Sequence, residues 1–471
     1  YDDAKLGVFV HWGLYSVPGW APQVPDIQTM LVADGPARML SHNPYAEWYR
    51  NTMRIPGSPT QRHHRETYGA DFDYDDFIPM FDAGTAECDL DAIAGLAAET
   101  GAGYVVLTTK HHDGFALWPS EVPHPVKGAY HARRDLVGGL TDAVRARGLR
   151  MGLYYSGAWD WPYNEVLLRH GADIVLATPD DPRYLEYITA HWRELIARYE
   201  PSLMWNDIGW PRDEALAGLF AHYYDAVPDG VINDRWVQPS SRPNPVTVAL
   251  LRAAGRAVEA LWRFIPADRK RLTFPGARWY DFSTPEYESP PEIREKKWES
   301  TRGVGHSFGA NRNERPEDIV TSTELIRSLC DIVAKNGNLL IGIGPDASGA
   351  IPEEQAAPLR GLGAWMGRNG DALRGTRPWE TSSVVTDDGT EVRFTVRDGV
   401  VHALLLGRPG APNFAVGGID AATVGEATLL ATGAAVERGQ RDGVLTLTLP
   451  EATPDEAAYA IRLGPGVRRL G

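Results

Sequence analysis

The residues best suited to chemistry are carboxylates and imidazoles that stand where short apolar runs break off. In PSLMWNDIGWP, residues 201 to 211, the run Leu203-Met204-Trp205 gives way to Asn206 and Asp207, then to a turn carrying Gly209 and Pro211. The run is too short and too closely flanked by breakers to be a helix, so it reads as a buried parallel strand with Asp207 at its C-terminal end. That end is where ligands sit in α/β enzymes. A lone Asp after a strand more often caps the following helix, so the reading of Asp207 as a reactive centre rests on other stretches with the same grammar. Leu6 to Val10 runs into His11 and Trp12, and GYVVLTTKHHDGF into His111, His112 and Asp113. RMGLYYS brings Tyr154 and Tyr155, GVINDRW brings Asp234 and Arg235, and ARWYDFSTPEY brings Asp281 and Glu286.

If these strands are parallel, their ends converge on one mouth. Paired carboxylates, histidines, an arginine and tryptophans such as Trp205 then suit a polyhydroxylated ring. Zinc is the competing use of His11, His111, His112 and Asp113. Neighbouring residues of a strand face opposite sides, so only one of His111 and His112 would enter a shared coordination sphere, and no HxH or HExxH spacing occurs. The expectation is catalysis with no metal and no cofactor; no phosphate-cradling loop or dinucleotide fingerprint is present either.

The elements that must position these residues alternate regularly. Helical patterns occupy AEWYRNTM (46 to 53), DLDAIAGLAAETGA (89 to 102), GGLTDAVRARGL, PRYLEYITAHWRELIARY, EALAGLFAHYYDAV and ELIRSLCDIVAKNG, and NLLIGIGPDASG closes the series. About eight strand candidates separated by helices predict a (β/α)8-like barrel over residues 1–375. Residues 237 to 277, with the Arg- and Ala-rich VALLRAAGRAVEALWRFI, read as an enlarged loop. From 381 to 471 the texture changes to short alternating runs such as EVRFTVRDG and GVLTLTLP, which predicts a C-terminal antiparallel β-sandwich.

With 471 residues there is length for both units. Fifteen tryptophans in a chain that is 43% hydrophobic fit a protein that covers flat apolar rings, sugars among them. The net charge of −15 argues against nucleic acid or an anionic membrane as partner. The only cysteines, Cys88 and Cys330, exclude a disulfide framework and a multi-thiolate site. No run approaches the roughly 18 apolar residues of a spanning helix, so the chain reads as soluble. It opens on Tyr1 rather than Met, which suggests an upstream segment absent from this sequence and leaves the compartment unreadable; the oligomeric state is equally open.

Together the segments KLGVFVHWGLYSVPGW, AEWYRN, TTKHHDGF, GLYYSGAWDW, MWNDIGWP, INDRW, TPEY, KWESTRGVGHSFG and NGNLLIGIGPDASG resemble glycoside hydrolase family 29, the α-L-fucosidases, from Lys5 to about Trp379. The resemblance implies a barrel with a C-terminal sandwich and retaining exo-hydrolysis of terminal L-fucose. Residue by residue, it implies Asp207 as nucleophile, Glu286 as acid/base, and His11, Glu47, Trp48, His111, His112, Tyr154, Trp205 and Arg235 as sugar contacts. Retaining chemistry places the two carboxyls about 5 to 5.5 Å apart, and repulsion from an ionised Asp207 keeps Glu286 a proton donor until the glycosyl ester forms.

Two departures from the family pattern stand out: Ala310 occupies a position where a large aromatic is expected, and the stretch between Arg235 and Glu286 is long. Glu299 is therefore the nearest rival acid, followed by Glu288 and Glu292. Hydrolysis of another α-L-sugar such as an L-galactoside, and a sugar-binding protein without turnover, are the alternative functions.

Overall fold

The computed structural model describes residues 1–239, 245–270 and 276–470. Seven parallel strands form the first sheet: β1 (Leu6–Val10), β2 (Tyr104–Lys110), β3 (Arg150–Ser156), β4 (Leu203–Asp207), β5 (Val231–Ile232), β6 (Trp298–Gly303) and β7 (Gly337–Ile343). Their order is β5-β4-β3-β2-β1-β7-β6. All residues of β1, β2, β4 and β7 are buried. A parallel sheet is covered on both faces, which is why these segments read as near-continuous apolar runs.

Residues 281 to 286 span the gap between the two edge strands. The Asp281 amide donates to the Ile232 carbonyl at 2.9 Å, and the Glu299 amide to the Ser283 carbonyl at 2.7 Å. Isolated parallel bridges pair Asn233 with Phe282, Ser283 with Trp298 and Glu286 with Thr301. The sheet thereby curls into a ring of (β/α)8 type with one irregular member. Two expectations shift: the strand expected in GVINDRW shrinks to Val231–Ile232, and β6 was not among the apolar runs. WESTRG hides its strand character because Glu299, fully buried, faces the interior of the ring and is satisfied by hydrogen bonds from Tyr104 and Trp205.

Helices pack outside the ring. One of them, Pro182–Tyr199, starts where Asp181 accepts from the Arg183 amide, with proline in the first turn. It buries Tyr184, Ile188, His191, Leu195 and Tyr199 at spacings of three and four. Ser322–Ala334 begins with a reciprocal cap between Thr321 and Glu324, a device worth about 1 kcal/mol.

Beyond it lies an antiparallel sheet of eight strands: β8 (Arg377–Val385), β9 (Glu391–Arg397), β10 (Val400–Leu405), β11 (Asn413–Asp420), β12 (Ala427–Leu429), β13 (Ala434–Arg441), β14 (Val444–Thr448) and β15 (Tyr459–Pro465). It folds over its own core, in which Val392, Phe394, Phe414, Leu445 and Leu447 are fully buried. A bridge from Thr386, just past β8, to Val416 in β11 brings its two edges together. The sheet docks on the barrel layer through the Asp331–Arg393 ion pair and through Trp365, whose indole donates to the Ala458 carbonyl at 2.9 Å.

Candidate active site

At the C-terminal end of β4 the chain turns sharply: Ile208 has φ of 64° and Gly209 of 98°. A Cβ on Gly209 would lie 2.7 Å from the Val237 carbonyl oxygen, so the turn needs glycine for space as well as for φ. The turn leaves the Asp207 carboxylate in the mouth of the ring with a full set of donors. Its Oδ1 accepts from Arg235 and from the Ile208 amide, each at 2.9 Å, and its Oδ2 from the Tyr154 hydroxyl at 2.8 Å. His112 Nε2 stands 4.0 Å from Oδ2.

Arg235 ties the site together. One terminal nitrogen holds Asp207, while the other lies 2.6 Å from Glu286 Oε1. Its Nε donates to the Thr284 hydroxyl at 2.9 Å, and the guanidinium lies 4.8 Å over the Trp205 ring. Burial opposes its charge, but Glu286 and Asp207 outweigh this and leave the guanidinium more strongly protonated than usual. Asp234, at the end of GVINDRW, holds Thr284 through the threonine amide and hydroxyl and so fixes what Arg235 grips. Glu286 is the more accessible carboxylate: its side chain is 35% exposed against 11% for Asp207.

The histidines surround the same point. His11 packs against Phe9 and Phe308 at ring separations of 4.2 and 4.8 Å, and burial pushes it down to about 3. His111 stacks on Tyr154 at 5.5 Å. β2 ends at Lys110, and the chain then turns so that the His111 and His112 rings lie only 4.1 Å apart. The expectation that they would face opposite sides fails because strand alternation stops one residue too early. Burial lowers both below the usual imidazole range, so each is neutral. His112 Nδ1 is engaged with the Ser156 hydroxyl at 2.7 Å. Nδ1 of His11 and of His111 is buried without a partner among the described residues. Among the described residues no set of three or more His, Cys, Asp or Glu is disposed to hold a metal ion.

Glu47 and Trp48 arrive on a single turn after Tyr45. Glu47 accepts from the Gly309 amide at 2.9 Å and the Ser307 hydroxyl at 3.2 Å, and burial pushes its carboxyl up to about 7. Trp48 stands edge-on to His112 at 5.8 Å. Trp205 is a floor: Tyr154 stacks on it at 5.5 Å, Arg235 lies over it, and its indole donates to Glu299 at 3.0 Å.

The other candidates lie elsewhere. Glu299 accepts from Tyr1, Tyr104 and Trp205 and is wholly enclosed. Glu288 and Glu292 are exposed. Asp113 accepts from the Tyr74 hydroxyl at 2.8 Å, and Asp281 binds the Tyr224 hydroxyl and the Ile232 amide. The Tyr155 hydroxyl pairs with His191, and the Trp12 indole donates to the Asp346 carbonyl. Ala310 is buried, its nitrogen close against Gly344. Sequence reasoning missed Phe308, Tyr287, Trp159 and Trp161, which complete the apolar wall. The signals were in view, in the GHSFG and WDW segments, but aromatic residues alone do not declare which face they line.

Two carboxylates of unequal exposure on one guanidinium, neutral imidazoles with free nitrogens and a ring of tryptophans make this barrel protein a glycoside hydrolase. The family model described as alpha-L-fucosidase matches residues 1–371, and the chain belongs to that family. It is 31% identical over 423 residues to the alpha-L-fucosidase of Dictyostelium discoideum, covering 87% of this chain and 78% of that protein. With human tissue alpha-L-fucosidase it shares 29% over 427 residues, covering 87% and 75%. The crystal structure of Thermotoga maritima alpha-fucosidase in complex with a mechanism-based inhibitor is similar with a TM-score of 0.81 at 36% identity, covering 98% of this chain and 96% of that one.

Proposed function

We propose that the chain removes terminal α-L-fucosyl residues by two successive displacements, with Asp207 as nucleophile and Glu286 as acid and then base. The observation that carries the reading is Arg235, whose neighbouring nitrogens hold both carboxylates at 2.9 and 2.6 Å. Sharing one guanidinium favours the short carboxyl separation of retaining enzymes, about 5 to 5.5 Å, over the 6.5 to 9.5 Å that inversion needs. Residues 1–375 form the catalytic unit in this reading and 381–471 the appended sheet.

A bound sugar occupies the mouth between the two carboxylates, while Arg235, Tyr154 and the Ile208 amide hold the Asp207 carboxylate in place. Glu286 donates a proton to the departing oxygen as Asp207 attacks the anomeric carbon. Once Asp207 is an ester its charge is gone, and Glu286 accepts a proton from water, which cleaves the ester. Neutral His11, His111 and His112, with Glu47, Trp48, Tyr154 and Trp205, provide the hydrogen bonds and apolar cover for the sugar. Hydrolysis of an aryl α-L-fucoside, followed by NMR, tests the reading. The first product formed is α-L-fucose; initial release of the β-anomer overturns it, and faster hydrolysis of the matching α-L-galactoside favours the other sugar.

A further inference from the structure

Ser156, the last residue of β3, is fully buried and stands opposite Asp207 in the register of β3 and β4. Its hydroxyl has one proton and two close neighbours. The first is the Trp159 carbonyl at 2.8 Å, which can only accept. The proton therefore goes to Trp159, and the Ser156 oxygen turns a lone pair towards His112 Nδ1 at 2.7 Å. Two lone pairs at that distance repel, so Nδ1 carries the hydrogen of the ring. A second ring proton is disfavoured. The edges and faces of Trp48, Trp159 and Trp161 enclose the imidazole at 5.8, 5.1 and 5.5 Å, and burial, followed by the charge of Lys110, keeps it neutral. Nε2 is left bare, 4.0 Å from Asp207 Oδ2.

The carbonyl that takes the Ser156 proton is itself fixed. Trp159 and Trp161 flank Asp160, whose Oδ2 accepts from Lys110 at 3.1 Å and whose Oδ1 accepts from His124 Nε2 at 3.0 Å and from the Tyr163 amide at 3.2 Å. His124 Nδ1 accepts from the amides of Val126 and Lys127, each at 3.0 Å, so its hydrogen lies on Nε2 and points at Asp160. The Trp161 amide donates back to the His112 carbonyl at 2.9 Å, and the Gly157 amide to the Asp207 carbonyl at 3.2 Å. A Cβ on Gly157 would run into the Asn206 side-chain oxygen and the Gly209 carbonyl, so the turn after β3 is pressed against the turn after Asp207.

We propose that Ser156 is a positioning residue of the sugar site: it fixes the tautomer of His112, so that Nε2 meets the substrate only as an acceptor and selects a ring hydroxyl that donates to it. The selection rests on the reading of the mouth as an α-L-fucosyl site; the tautomer does not. A hydrogen on Nε2 would point at Oδ2 of Asp207 instead and weaken it as a nucleophile. Oδ2 now takes one bond, from Tyr154, where Oδ1 takes two, from Arg235 and the Ile208 amide.

NMR of the protein with isotope-labelled histidine nitrogens reads the tautomer directly, the His112 signals being those that vanish in His112→Phe. In the wild type the hydrogen is on Nδ1 and Nε2 resonates as an unprotonated ring nitrogen. In Ser156→Ala, which removes the acceptor of Nδ1, both nitrogens move towards an average of the two tautomers. Hydrogen on Nε2 in the wild type overturns the proposal, as does an unchanged His112 spectrum in folded Ser156→Ala; if that variant fails to fold, the wild-type spectrum decides. On aryl α-L-fucosides Ser156→Ala lowers kcat/KM by about 2- to 10-fold, the worth of one neutral hydrogen bond. The loss disappears for the one monodeoxy fucoside that lacks the hydroxyl given to His112, and an equal loss on every member of the series overturns the selection. A wild-type protein that hydrolyses no fucoside refutes the fucosidase reading instead, and the spectrum still decides the tautomer.

Discussion

Replacing Glu286 and Glu299 in parallel separates the proposed acid/base from a carboxylate that holds the ring together. Glu299 is fully buried and receives hydrogen bonds from the hydroxyls of Tyr1 and Tyr104 and the indole of Trp205. Glu299→Ala strands three donors, each costing about 1 to 3 kcal/mol, or roughly 3 to 9 kcal/mol together. That approaches the roughly 5 to 15 kcal/mol by which a protein of this kind is stable, so the variant unfolds far more readily in urea. Glu286→Ala removes a partly exposed side chain whose ion-pair partner, Arg235, keeps Asp207 and Thr284. Its unfolding midpoint stays close to that of the wild type.

Activity reverses the order. Without its general acid, Glu286→Ala loses about 10²- to 10⁴-fold on fucosides with poor leaving groups and far less on activated aryl fucosides, whose oxygen departs unaided. Azide, which needs no base, intercepts the ester on Asp207 and restores turnover, giving a product of the substrate's own anomeric configuration. The assay is a leaving-group series with and without azide, paired with urea unfolding of each variant. A folded Glu299→Gln that shows the leaving-group dependence and azide rescue, alongside a Glu286→Ala that hydrolyses unactivated substrates normally, refutes the assignment.

Asp207→Ala lowers turnover by several orders of magnitude with little loss of stability, and near-normal turnover in a folded variant contradicts its role as nucleophile. Asp160→Asn breaks the fully buried pair with Lys110 at 3.1 Å and the contact with His124, costing about 3 to 5 kcal/mol in urea unfolding; an unchanged midpoint contradicts it. His11, pushed down to about 3 by burial, takes up a proton on unfolding between that value and the ordinary 6.5. Stability therefore falls by up to about 1.4 kcal/mol per pH unit on acidification through this window, and His11→Asn flattens the slope. Glu47, held at about 7 by burial, acts in the opposite sense. It releases its proton on unfolding, so its contribution is intact below about 4.5 and lost as pH rises towards 7, and Glu47→Gln removes that dependence. Activity is unaffected by a metal chelator; loss with EDTA and recovery with zinc contradicts this.

What the sequence determined by itself is periodicity and punctuation. Apolar runs such as Leu6–Val10 and Gly337–Ile343 were legible because both faces of a parallel strand are buried, and the polar tips at His11, Asp207 and Arg235 because the run stops abruptly there. Period-two alternation likewise announced the C-terminal sheet. Tertiary structure alone decided whatever depends on which way a side chain turns once regular structure ends. β2 stops at Lys110, so His111 and His112 come side by side instead of opposed. β6 stayed hidden because the polar Glu299 is satisfied by donors from the N-terminus, β2 and β4, residues far away in sequence. The same holds for the two rival candidates for the acid. The resemblance favours Glu286 and keeps Glu299 as its rival; ring closure leaves the first beside Arg235 and encloses the second behind Trp205, because exposure and hydrogen-bond partners are properties of the packed chain, not of the segment.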